Sequence, residues 1–342
     1  MKTIAFFNNK GGVGKTSLVY HLAWMFHDMG LNVVAADLDP QANLSSMFLE
    51  EDRLEDLWPE GDHPKSIFGA IRPILRGIGD IAEAHLEIIT DRLGLLVGDL
   101  SLSAFEDKLS DAWPRCLDRR DEAAFRAISA LSRIVQAAAR AGKADIALID
   151  VGPNLGAINR AAIIGADCVA IPLAPDLFSL QGLRNLGPTL RQWRGDWAER
   201  LERSPDKSLE LPPGAMRPLG YIVQQHFVRV DRPVKAFGRW MERIPIEYRK
   251  SVLGQTVEPK DTYQDDPCCL AKLKNYRSLM PMAMEARKPI FHLKPADGAI
   301  GSHMLAAQEV RKDFHSLAKR LASEAVIELP ALPKNAGLYA EL

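Results

Sequence analysis

Asn8-Asn9-Lys10-Gly11-Gly12-Val13-Gly14-Lys15-Thr16-Ser17 directly follows the apolar run Thr3-Ile4-Ala5-Phe6-Phe7. The apolar run predicts a buried strand, the glycines a tight turn, and the residues from Thr16 onward a helix. Strand, glycine-rich turn and helix start form the context that a phosphate-binding loop requires. Glycines let backbone N–H groups converge on phosphate oxygens without a Cβ in the way. The helix that follows adds the positive end of its dipole. Lys15 supplies a point charge for the outer phosphates, and the Thr16 hydroxyl is a magnesium ligand of the right kind. Gly11, Gly12, Val13, Gly14, Lys15, Thr16 and Ser17 together make the predicted cradle. The usual pattern begins with glycine, whereas Asn9 stands there, and a second lysine, Lys10, precedes the paired glycines.

Outward from the loop, residues 16–29 carry a broad helical stripe (Leu18, Val19, Leu22, Ala23, Met25, Phe26, Met29) closed by Gly30. Residues 32–37 read as a second buried strand ending in Asp37-Leu38-Asp39-Pro40, and 145–150 as a third ending in Asp150-Val151-Gly152-Pro153. Residues 49–86 are polar and broken by proline and glycine, which predicts an irregular helical excursion at the edge of the core. Short strands are predicted at 86–90 and 93–97, further strands at 168–173 and 219–225, and helices at 122–140, 155–165, 179–197 and 303–324. The rest beyond 225 reads as mostly helical. Buried strands alternating with helices predict an α/β, doubly wound, mostly parallel sheet, with ligands at the carboxyl ends of strands. The predicted organisation is one domain over residues 1–328 and a proline-broken tail over 329–342.

The chain has 342 residues, a formal net charge of -1 and 47% hydrophobic residues. That composition supports a sizeable core and excludes a protein that coats nucleic acid over its whole surface; a local basic face stays open. Cys116, Cys168, Cys268 and Cys269 show no CxxC spacing, which predicts reduced thiols in a cytoplasmic protein. No signal peptide is read ahead of the first strand. No apolar run approaches the ~20 residues of a membrane span, so no membrane partner is expected.

The loop and three strand-end aspartates make sense as one constellation. A magnesium nucleotide presents several negative charges, which lysines and backbone amides neutralise while carboxylates hold the magnesium shell and orient water. Asp150 would contact magnesium through water, Asp39 would position the attacking water, and Asp37 reads as a magnesium-side or structural carboxylate. A single strand-end aspartate could equally be a helix cap or turn former.

These residues resemble the deviant-Walker ATPases of the ParA/MinD family. The resemblance rests on Lys10 to Thr16, on Asp37-Leu38-Asp39-Pro40-Gln41-Ala42-Asn43, and on Asp150 followed by Gly152-Pro153-Asn154-Leu155-Gly156. It continues through Ala166-Asp167-Cys168-Val169 to Leu180-Gln181-Gly182-Leu183. It implies a P-loop ATPase with ATP and Mg2+ as ligands and Lys10, Lys15 and Asp39 in catalysis. Lys10 would be the signature lysine that crosses a homodimer to the phosphates held by the other subunit. Two departures stand out: Ser17 replaces a common second threonine, and Gly152-Pro153 replaces a double proline.

Within that family, the proline-rich tail is unsuited to the basic amphipathic helix of a membrane-bound branch. The cysteines fall outside the motifs of an iron–sulfur branch. A partition ATPase remains: nucleoid-associated, binding DNA without reading sequence in its ATP state, and stimulated by a protein partner. The candidate DNA surface is Arg229, Arg232, Lys235, Arg239, Arg243, Arg249 and Lys250, with Arg184, Arg191 and Arg194 as a second group. The alternative for that stretch is an ordinary amphipathic helix with solvated arginines. The alternative for the whole chain is a regulatory or assembly ATPase that acts on a protein partner without DNA.

Overall fold

The computed structural model describes residues 1–118, 120–224, 234–257 and 266–330. The first strand, β1 (Lys2–Phe6), runs into the glycine loop and α1 (Lys15–Asp28). β2 (Val33–Asp37) follows, then three short helices, α2 (Asn43–Phe48), α3 (Glu51–Leu57) and α4 (Ile67–Arg76), and the strands β3 (Glu87–Ile88) and β4 (Leu93–Leu96). Two antiparallel helices, α5 (Phe105–Arg115) and α6 (Glu122–Ala141), lead to β5 (Ile146–Asp150), α7 (Ala157–Ile164) and β6 (Cys168–Leu173). The long α8 (Leu177–Leu201) returns to β7 (Arg217–Gln224), and α9 (Val234–Glu247) and β8 (Cys269–Leu273) follow. The last helices are α10 (Leu279–Glu285) and α11 (Ser302–Ala325).

The strands form one sheet in the order β3-β4-β2-β5-β1-β6-β7-β8, parallel except at the β3–β4 edge. The doubly wound, mostly parallel α/β sheet read from the sequence is therefore present. Its strands are apolar on both faces because both are covered. Val34, Ala36, Ala147 and Ile149 face the core built with α4 to α8, whereas Val33, Ala35, Ile146 and Leu148 face the core built with α1, α10 and α11. Register aligns the functional ends: Asp150 pairs with Phe6 on one side and with Asp37 on the other. Neighbouring strands stand ~4.8 Å apart, so this register alone brings two carboxylates and the start of the glycine loop together.

Three features depart from the sequence reading. β8 was not foreseen within the helical C-terminal region; it is a short edge strand in which only Leu270 and Leu273 are buried and Lys272 is exposed, a weak signal beside the helices around it. α5 occupies a stretch, between the strand at 93–97 and the helix at 122–140, for which no element was predicted. The excursion is not confined to the edge, because Ile67, Ala70, Ile71 and Ile74 of α4 are buried in the main core. Its amphipathic ten-residue stripe is interrupted by Pro73, which hid it in the sequence.

α8 lies tightly on a π-helical turn, Tyr248–Val252. A Cβ added at Gly187 would come within 2.0 Å of the Ser251 carbonyl oxygen, so only glycine permits this approach. Gly187→Ala is expected to destabilise the fold by about 2–3 kcal/mol, seen as a lower thermal midpoint; an unchanged midpoint would refute the close packing.

Candidate nucleotide-binding site

Gly12 and Gly14 take positive φ angles of 71° and 81°, a backbone shape that residues with a Cβ rarely adopt. Gly14 caps the start of α1, so the loop turns directly into the helix N-terminus. Asn8 tethers the loop at its base: its Nδ2 donates to the Pro172 carbonyl at 2.6 Å, and its Oδ1 accepts from the Lys10 N–H at 3.0 Å. Asn9, in the place of the usual glycine, lies against α8, where a Cβ on Gly182 would sit 2.7 Å from Asn9 Oδ1. On the far side, Gln224 at the end of β7 donates to the Gly14 carbonyl at 3.2 Å.

Lys15 is buried at 7% exposure beside Asp39 and Asp150. Burial pulls its ammonium pKa down, and the two carboxylates push it back up. Asp150 is fully buried and neither carboxylate oxygen has a hydrogen-bond partner among the described residues. Burial and the neighbouring Asp37 raise its pKa. The Thr16 hydroxyl and Lys15 oppose that shift, with the hydroxyl close by but outside hydrogen-bond geometry. A buried carboxylate without a donor either keeps its proton or takes a cation.

Asp37 is different. Its Oδ2 accepts from the Ser45 N–H at 2.7 Å and the Ser45 hydroxyl at 2.8 Å, and its Oδ1 faces the Asp39 N–H at 3.4 Å. Gly98 leaves room for it, since a Cβ there would sit 2.7 Å from Asp37 Cγ. Burial raises Asp37 to about 7 despite the bonds from Ser45. Asp39 accepts from the Gln41 N–H at 3.0 Å and stands close to the Gly152 backbone.

Lys10 forms an ion pair with Asp176 of its own chain and lies 5.6 Å from the centre of the Phe178 ring. Asp176 also caps α8 through the Ser179 N–H at 2.8 Å. A cavity of about 330 Å³ opens beside Ser17 and Gln224, lined further by Asn275, Tyr276, Met280 and Met284. His21 closes its back wall as a neutral ring, with Nδ1 at 2.7 Å from the Ser17 carbonyl, Nε2 accepting from the Ile290 N–H, and a pKa pulled down to about 4 by burial.

A family profile described as an AAA domain matches residues 1–202. The chain belongs to this family, as a P-loop ATPase of the ParA/MinD type. Protein IncC of Escherichia coli is 36% identical over 194 residues, which span 57% of this chain and 47% of that protein. A putative replication protein A of Rhizobium rhizogenes is 30% identical over 183 residues, 54% of this chain and 42% of the other. This chain therefore spans about half the length of those two relatives. The chromosome partitioning protein ParA of Caulobacter vibrioides is 29% identical over 202 residues, 59% of this chain and 67% of that one. Among solved structures, a Corynebacterium diphtheriae protein aligns with a TM-score of 0.68 at 24% identity, covering 95% of this chain and 99% of its own. A putative plasmid partition protein of Borrelia burgdorferi bound to AMPPNP aligns at 0.55 and 16% identity, covering 94% and 98%. At these identities the two structures speak for the fold.

In this P-loop ATPase every residue of the predicted phosphate cradle, with Lys10, Asp37, Asp39 and Asp150, falls at the carboxyl ends of β1, β2 and β5. Ser45, Gly98 and Asp176 were not foreseen; only Asp176 carried a signal, an aspartate three residues ahead of a serine at a helix start. The basic surface is less complete than the sequence implied. Arg229 and Arg232 lie outside the described residues, as does the side chain of Lys235. Arg239 is exposed and Arg243 half-buried, both over the Trp240 ring. Arg249 is buried and paired with Asp266. Arg184 pairs with Glu247, Arg191 donates to the Ser251 carbonyl, and Arg194 to the Ala215 and Met216 carbonyls. Arg184 and Arg191 of that second group are nonetheless exposed, and Arg194 is half-buried.

The raised pKa of Asp37 has a consequence for folding. In the unfolded chain it ionises near the ordinary aspartate value of 3.8, in the folded one at about 7, so the native state holds the proton longer. Its contribution favours folding at low pH and is lost as pH rises from about 4 to about 7. Asp37→Asn is expected to flatten this part of the stability profile, measured by thermal melts of ligand-free protein from pH 5 to pH 8. Parallel profiles would contradict the assignment.

Proposed function

We propose that the protein is an ATP-binding, slowly hydrolysing dimerisation switch in DNA partition or cargo positioning. The observation that carries the reading is the orphaned carboxylate of Asp150 at the end of β5, beside Lys15 and Thr16 at the head of α1. The donor set fits Mg2+: a hydroxyl from Thr16 and a buried carboxylate from Asp150, the latter acting through water. Asp37, with its Oδ2 already taken by Ser45, holds the shape of the site from behind. Magnesium, when bound, would neutralise charge at the β- and γ-phosphates. Lys15 and the amides of Gly11 to Ser17 would bind the phosphates, and Asp39 would orient the attacking water.

The cavity beside Ser17 lies one helical turn from the loop, and its mixed apolar and amide lining suits a nucleobase. We take residues 1–328 as one ATPase unit. Its names among relatives include partitioning and plasmid partition proteins, which supports a partition role for this chain. Lys10 would cross to the phosphates of a second copy, which requires its pair with Asp176 to open on dimerisation. Phe178 lies near Lys10, and Phe178, Leu177 and Leu155 are exposed apolar side chains that would suit a second copy. Non-specific DNA binding would fall to Arg239, Arg243 and neighbouring basic residues in a cytoplasmic, nucleoid-associated protein. An activating protein partner would complete slow basal turnover.

Lys15→Ala is expected to abolish nucleotide binding. Asp39→Ala should bind ATP, hydrolyse it at least about tenfold more slowly and accumulate dimer. Lys10→Ala should bind ATP yet stay monomeric by light scattering; normal dimers in that variant would refute the role across the interface. Retention on DNA with ATP should fall steeply along a salt series. If no DNA is retained at low salt, the reading of an ATPase acting on a protein partner replaces partition, since Arg184, Arg191, Arg194 and Arg249 are already engaged within the fold.

A further inference from the structure

The segment 152–156 connects Asp150 to α7 and carries no regular structure, yet Asn159 of α7 holds its first half and Glu106 of α5 holds the helix start that follows it. Asn159 Nδ2 donates to the Gly152 carbonyl at 2.8 Å and the Asn154 carbonyl at 2.7 Å, closing the loop on itself. Asn159 is buried at 1% exposure. The N-terminus of α7 begins at Gly156, which has no side chain to cap it. Its first free amides are satisfied from α5 instead: the Ala157 N–H donates to Glu106 Oε1 and the Ile158 N–H to Glu106 Oε2, the latter at 2.9 Å. A single carboxylate therefore takes two orphan donors and complements the helix dipole.

The fastened loop touches both halves of the nucleotide site. A Cβ on Gly152 would sit 3.3 Å from Asp39 Oδ1, and one on Gly11 would sit 3.9 Å from the Pro153 ring. A shift of the loop would thus displace the carboxylate proposed to orient water and the floor of the phosphate cradle. A Cβ at Gly156 would lie 2.6 Å from Glu106 Oε1, so a side chain there would press on the carboxylate that holds the two amides. Glu106 lies in the first turn of α5, outside every sequence motif assigned above.

We propose that Glu106 and Asn159 are positioning residues for hydrolysis, acting through the loop 152–156 upon Asp39. This rests on the ATPase reading given above. α5 then becomes the element through which a partner could alter turnover without touching nucleotide.

The test compares Glu106→Gln, Glu106→Ala and Asn159→Ala with the parent chain in single-turnover hydrolysis, ATP affinity, thermal melting and amide exchange. The expected result is a turnover loss of about tenfold in Glu106→Ala and Asn159→Ala with affinity within about twofold. Glu106→Gln, which keeps one acceptor, should recover part of the rate, and Glu106→Ala combined with Asn159→Ala should lose less than the product of the single losses. Exchange at the amides of Ala157 and Ile158 should speed up in both Glu106 variants. Unchanged turnover in all three variants overturns the proposal, as does a parallel fall of turnover, affinity and melting temperature in Glu106→Gln. A parent chain that never hydrolyses ATP sinks the ATPase reading instead; unaltered exchange at those two amides then overturns the clamp by itself.

Discussion

Buried charge in search of its counter-charge is the constraint around which this molecule is arranged. Asp37, Asp39 and Asp150 stand at or just past adjacent strand ends, and Lys15 is the one ammonium buried among them. Ionised carboxylates this deep require cations or donors, or they take up protons. The structure meets that demand unevenly. Ser45 satisfies Asp37, a turn amide satisfies Asp39, and Asp150 has neither. The imbalance is concentrated at the end of β5, beside Lys15 and the head of α1.

The same economy of charge extends to Lys10. In the single chain its ammonium is engaged by Asp176, a residue that simultaneously caps α8, and it lies near the exposed ring of Phe178. Opening this pair would free the loop lysine and alter the cap of α8 together. Opening such a pair is inexpensive at a partly exposed site, where solvent screens both charges. The contact therefore suits a reversible change better than a permanent one.

Short motifs located most of the candidate site, because each reports chemistry contained within a few residues. Gly12 and Gly14 are legible since the turn needs their backbone freedom, and Asp150 since it terminates an apolar run. Arginines were the opposite case. Arg184, Arg191, Arg194 and Arg249 looked alike as sequence, yet all four are engaged with carboxylates or carbonyls contributed by distant segments. A guanidinium with five donors finds acceptors wherever the chain returns to it, and periodicity gives no sign of that return. Edge strand β8 and helix α5 escaped for a related reason: their burial is one-sided and set by neighbours rather than by local pattern.

The amino-acid sequence alone determined the doubly wound sheet and the glycine-rich turn that joins β1 to α1. It also determined that aspartates would close the carboxyl ends of the second and third central strands. Backbone conformational limits and hydrophobic periodicity act over short stretches, so a linear reading captures them. Only the tertiary structure decided that Ser45 supports Asp37, that Asp150 is left unpartnered, that Asp176 holds Lys10, and that Glu106 caps a helix some fifty residues further along. These are pairings across long separations in the chain. Parallel register and helix packing bring such groups within about 3 Å, and no local periodicity encodes which polar group will find which.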